Sequence, residues 1–189
     1  MMVSSIGIAV AVLLSGCGAH TSTAAAPGSA GSSAAASSSQ AFGGAGGVAG
    51  ANAGAGSSIA PATVQTVSGT KLTVPGNKPA LLYFFTASCS SCAAGATTVG
   101  AGVRKAGSGV QAIAVDLDPG EPVQVIHDFM RSVGNPPLSV VRDDGTLLKR
   151  FNVDALGLTV VLNKTGRVVY RGVDPTAAQT AAAIAAAGA

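Results

Sequence analysis

The back part of this 189-residue chain predicts an α/β fold: one mixed sheet with helices packed on its faces. Three observations carry that expectation. Short apolar, strand-like runs alternate with helix-compatible stretches from about Ile59 onward. Turn residues separate those runs at Ser68-Gly69-Thr70, Asp143-Asp144-Gly145 and Lys164-Thr165-Gly166. All 11 Lys and Arg and all 8 Asp and Glu lie after position 70, so only this part has the charge content of an ordinary folded domain.

Taken in order, Thr63–Val67 and Lys71–Val74 flank Ser-Gly-Thr and predict an N-terminal β-hairpin. Ala80–Thr86, "ALLYFFT", is continuously apolar and aromatic, as a strand buried on both faces must be. A helix is expected from Cys89 to about Lys105, although Gly95, Gly100 and Gly102 weaken it. Val110–Val115 predicts another buried strand, closed by Asp116 and Asp118. Glu121–Val133 carries Pro122 at a first-turn position and Val123, Ile126 and Met130 at helical spacing. Leu138–Val141, the Asp-Asp-Gly turn and "TLLKRFNV" are read as a strand pair. Leu158–Asn163 and Arg167–Gly172 make a second hairpin. A last helix should start with Asp174 as N-cap and Pro175 in the first turn.

The front of the chain follows different rules. Val3–Leu14 is apolar but shorter than the ~20 residues a spanning helix needs. It has the length of a signal-peptide core. Leu14-Ser15-Gly16-Cys17 resembles the lipobox of bacterial lipoproteins, although "MMVSS" lacks the customary basic residue. The resemblance implies removal of residues 1–16, acylation of Cys17, and attachment to a membrane through lipid. The stretch after Cys17 is Ala, Gly and Ser with little else. Such a composition cannot bury enough apolar surface to offset chain entropy. Residues 17–60 are therefore expected to be a flexible tether with a span of about 35 Å, and residues 61–189 the folded domain.

The chemistry concentrates in Cys89-Ser90-Ser91-Cys92. The pair falls where a buried strand hands over to a helix, so Cys89 should sit at a helix amino end. Unpaired N–H groups and the helix dipole favour an anion there, which makes Cys89 the expected nucleophile and lowers its pKa. Cys92, one turn on, is placed to close a disulfide with it. A purely structural clip would close a tiny loop and restrict little of the unfolded chain.

The setting resembles the thioredoxin fold, and within it the membrane-anchored TlpA/ResA-type thiol–disulfide oxidoreductases. "GTKLTV", "NKPALLYFFTASCSSC", "PPLSVVRDDG" and "LTVVLNKTGRVVYRG" match that family's segments in order, over roughly Val64 to Ala187. The resemblance implies a thioredoxin-like mixed sheet flanked by helices, with catalysis through a redox-active Cys89–Cys92 disulfide. It implies protein thiols or disulfides as substrates and an integral membrane thiol carrier as electron partner. It also implies a place on the outer face of the bacterial cytoplasmic membrane or in the cell envelope. No cofactor or metal is called for. Two positions depart from the pattern. Ala87-Ser88 precedes Cys89 where the family has Trp. The family's cis-proline falls on Gly157, so the substrate-facing loop would be Gly157 and Leu158, with a trans bond expected before Gly157. A second alignment puts Pro137 in that role.

Other chemistries remain open. Thr86-Ala87-Ser88-Cys89 resembles the Thr-x-x-Cys element of peroxiredoxins, but Leu82 stands where that family has Pro. The two thiolates could hold a soft cation such as Cu(I), with His127 and Met130 as further ligands. The ordinary role of that second pair is a surface histidine and a core methionine. Asp116 and Asp118, at a strand end, could lie near the thiols, and their ordinary role is in turns and caps. Net charge is +3 with no Lys/Arg cluster, which argues against a nucleic-acid partner.

Overall fold

The computed structural model describes residues 56–189. The expected signal segment 1–16, Cys17 and most of the tether lie outside the described residues. Strands β1 (Ala62–Gln65) and β2 (Lys71–Val74) pair antiparallel as a two-stranded sheet of their own. The main sheet contains β3 (Ala80–Phe85), β4 (Gln111–Asp116), β5 (Ser139–Arg142), β6 (Leu158–Leu162) and β7 (Val168–Val173), in the order β5-β4-β3-β6-β7. β3, β4 and β5 run parallel, and β6 and β7 are antiparallel to their neighbours. The helices are α1 (Ser90–Ala106), α2 (Val123–Ser132), α3 (Thr146–Arg150) and α4 (Ala177–Ala186).

Central β3 is buried at all of its positions, which explains its unbroken apolar run. Its side chains alternate between two cores. Leu81, Tyr83 and Phe85 face Val99 and Val103 of α1, Ile126 and Phe129 of α2, and Ile184 of α4. Leu82 and Phe84 face Leu147 and Phe151 around α3, with Val64 and Leu72 of the hairpin packed alongside. The mixed α/β sheet with flanking helices and an N-terminal hairpin is thus the predicted fold.

Two local expectations are corrected. "TLLKRFNV" is not a strand but contains α3. The Asp143 carboxylate accepts from the Leu147 and Leu148 amides at 2.9 and 2.8 Å, and Asp144 accepts from Thr146 at 3.0 Å. These bonds satisfy first-turn donors that a strand would send to a neighbour. Asp174 is not the N-cap of α4. It adopts a left-handed φ of 46°, whereas Thr176 is extended and caps the helix. Thr176 Oγ1 accepts from the Gln179 amide at 3.2 Å, and Gln179 Oε1 accepts from the Thr176 amide at 2.9 Å.

The three glycines that weakened α1 in the sequence are where it packs most closely. A Cβ on Gly100 would overlap Pro136, and one on Gly102 would stand 2.7 Å from the Thr180 methyl. Their helical cost is offset by letting α1 approach Pro136 and α4.

Candidate active site

β3 ends at the point where the sheet changes direction. Parallel β4 lies on one side of it and antiparallel β6 on the other. The carboxyl end of a strand at such a switch point is a natural site, because loops diverge from it and leave a crevice. The chain leaves β3 at Phe85, turns through Thr86–Ser88 and enters α1.

Cys89 is the N-cap of α1, with extended backbone (φ −84°, ψ 105°). Its Sγ accepts from the Cys92 amide at 3.3 Å and lies 3.3 Å from Ser91 Oγ. Cys89 and Cys92 form a disulfide, with Cα atoms 5.3 Å apart. Cys89 is half-buried, whereas Cys92 is 1% exposed. An attacking thiol therefore reaches Cys89 before Cys92. The Thr86 hydroxyl lies 3.2 Å from Ser88 Oγ, and its carbonyl accepts from the Cys89 amide.

Two groups missed in the sequence support the pair, and a third packs against its helix. Tyr83 OH donates to the Cys92 carbonyl at 2.8 Å, and burial, followed by the charge on Asp174, pushes its pKa up. Glu121, itself buried, accepts from the Ala87 amide at 2.9 Å and so holds the turn before Cys89. Asp174 packs its carboxylate against Gly157 and Gly95. The register of β3 carried no mark of the first contact, and the other two join segments far apart in the chain.

Asp116 was expected to form a turn. One oxygen does accept from the Asp118 amide at 3.2 Å, but the residue is fully buried and Oδ2 has no partner. Its strand neighbours Ala112 and Ala114 face α1, so its side chain shares the face that holds Cys92. Burial, with Glu121 and Asp118 adding negative charge, raises its pKa to about 7. Asp118 keeps an ordinary turn role, accepting from Gly120 at 2.8 Å.

Gly157 opens β6 beside β3. Its amide donates to the Phe84 carbonyl at 2.8 Å and its φ is +83°. Among the described residues the cis peptide bond is Val74–Pro75, so the bonds before Gly157 and Pro137 are trans. Leu158 sends its side chain into the core around Phe84. Gly157 is buried, and the exposed residues there are Leu156 and Asp174. His127 is exposed and Met130 buried. Both line a groove of about 600 Å³ between α2, β5 and the hairpin, and that groove includes neither cysteine of the pair.

No family model matches the chain. A curated relative, "Mercury resistance operon ORF3" of Streptomyces lividans, is 39% identical over 131 residues, covering 67% of this chain and 69% of the relative. Among solved structures, a thioredoxin-like protein from Aeropyrum pernix has a TM-score of 0.56 at 24% identity, covering 67% of this chain and 89% of its own. A secreted Mycobacterium tuberculosis disulfide oxidoreductase homologous to E. coli DsbE has a TM-score of 0.56 at 22% identity, covering 66% and 94%. At these identities the two structures establish a thioredoxin-like fold.

Proposed function

The chain belongs to the family of the Streptomyces lividans mercury resistance operon ORF3 protein, and within it we propose that the folded part is a thiol–disulfide oxidoreductase working through Cys89 and Cys92. The observation that carries this reading is the placement of Cys89 Sγ. It caps a 17-residue helix, accepts from the Cys92 amide, and is the more accessible of two bonded sulfurs. A thiolate is favoured at that point by the helix dipole and the unpaired N–H groups.

In the reducing direction, the Cys89 thiolate attacks one sulfur of a substrate disulfide and expels the other as a thiolate. A mixed disulfide then joins Cys89 to the substrate. Cys92 loses its proton and attacks Cys89 Sγ, which releases the second substrate thiolate and forms the Cys89–Cys92 disulfide. Two electrons pass from the cysteine pair to the substrate. The reverse sequence oxidises a dithiol. Substrates in this reading are protein thiols or disulfides, and a membrane thiol carrier resets the pair. Acylation of Cys17 and the tether would hold the domain at the outer membrane face. The test is a redox titration of the full chain carrying Cys17→Ser, followed by the loss of free thiols. A reversible two-electron couple, abolished in Cys92→Ser, supports the proposal. A pair that stays oxidised or reduced throughout rejects it.

The relative's association with mercury resistance favours a second reading. The reduced Cys89 and Cys92 thiolates are soft ligands able to capture a soft cation such as Hg(II). Stoichiometric Hg(II) uptake by the reduced Cys17→Ser chain, lost when Cys89 and Cys92 are both Ser, supports it. The absence of uptake removes it. The Thr86 hydroxyl is directed to Ser88, so the peroxiredoxin-like alternative gains nothing from the geometry.

A further inference from the structure

The space beside α1 where Gly157 lacks a side chain is filled by Asp174. A Cβ on Gly157 would overlap Asp174 Oδ1 and stand 3.0 Å from Asp174 Cγ. On the other side of the same carboxylate is Gly95, whose absent Cβ would lie 3.1 Å from Asp174 Oδ1. Two glycines therefore make room for one carboxylate. Backbone geometry fixes its direction: Asp174 is left-handed at φ 46°, and its amide donates to the Gly157 carbonyl at 3.1 Å. Gly95 follows Cys92 by one helical turn, and Tyr83 OH, bonded to the Cys92 carbonyl, converges on the same point. The carboxylate thus lies within about 9 Å of the Cys92 side chain, given the spacing of helical neighbours.

Among the described residues that carboxylate takes part in no ion pair. The ion pairs among the described residues are Arg131 with Asp128 and Arg171 with Asp154. Asp174 is exposed, and the residues just before Asp174 and Gly157 form an apolar rim: Val173 is 49% exposed and Leu156 39%.

We propose that Asp174 is a specificity-determining residue that selects substrates bearing a positive charge next to the reacting sulfur, such as a cysteine flanked by a basic residue and apolar neighbours. The proposal rests on the thiol–disulfide exchange reading. It differs from what bulk charge predicts, because the chain carries a net +3 and as a whole attracts anions. A cation preference therefore has to come from a local carboxylate.

The test uses the reduced full chain with Cys17→Ser and three small symmetrical disulfides: cystamine (cationic), hydroxyethyl disulfide (neutral) and dithiodipropionate (anionic). The readout is the ratio of rate constants for cystamine over dithiodipropionate. This ratio cancels any change in thiol reactivity that affects all substrates alike. In Asp174→Asn, which keeps the shape and tolerates the left-handed backbone, the ratio should fall by about three- to tenfold. In the wild-type chain the ratio should also shrink as salt is added. A ratio that neither Asp174→Asn nor salt changes, while the neutral disulfide is consumed, overturns this inference and leaves the exchange reading intact. Failure to consume any of the three overturns both.

Discussion

Sulfur at position 89 receives the Cys92 amide at 3.3 Å while its partner sulfur is sealed from solvent. This asymmetry assigns separate roles to the two cysteines. Cys92→Ser should accumulate mixed disulfides with substrate at Cys89, detected as a mass increase that reductant reverses. Cys89→Ser should form none. Asp116 gives a second prediction at this scale. Its folded pKa of about 7 lies above the unfolded carboxylate value of ~3.9. The native state therefore binds the proton more tightly than the unfolded state does. The resulting stabilisation is complete below about pH 4 and is lost as pH rises through about 7. At about 1.4 kcal/mol per unit, the full swing is up to about 4 kcal/mol. Urea unfolding of wild type and Asp116→Asn at pH 4 and pH 8 should show the variant gaining on wild type at the higher pH. An unchanged difference would contradict the shift.

At the scale of elements, α1 depends on small residues for its fit. Gly102→Ala would place a methyl about 2.7 Å from the Thr180 methyl and 2.9 Å from the Ala177 carbonyl. Overpacking of this kind costs about 1–3 kcal/mol, against a gain in helix propensity of about 1 kcal/mol. Thermal unfolding should show a lower Tm for Gly102→Ala, while Thr97→Ala, on an exposed position of the same helix, should change it little. The same glycines illustrate what was legible in the sequence. β3, β4 and the β6–β7 hairpin could be read because burial on both faces or a Lys-Thr-Gly turn leaves a local pattern. α3 could not, because "TLLKRFNV" has strand-like apolar content and its helix depends on the Asp143 carboxylate capping two amides. The Cys89–Cys92 pair was visible from its strand-to-helix position. Glu121 and Asp174 lie far from it in the sequence, and Tyr83, nine residues before Cys92, reaches it from within a buried strand, so no local spacing marked them.

Across the whole molecule, charge and composition divide the labour. All charged side chains belong to the domain end, and among the described residues no helix is long and apolar enough to cross a membrane. In the proposed function, attachment falls to Cys17. Cys17→Ser should move the protein from the membrane fraction to the soluble fraction without altering its redox couple. Equal membrane retention of both forms would contradict the lipid anchor. The proposed exchange chemistry depends on the ionisation of Cys89, set by its place at the start of α1. The most direct measurement is the pH dependence of iodoacetamide alkylation of Cys89 in the reduced chain carrying Cys17→Ser and Cys92→Ser. The expected midpoint is at or below about pH 7.5. A midpoint near the ordinary cysteine value of about 8.5 would contradict it.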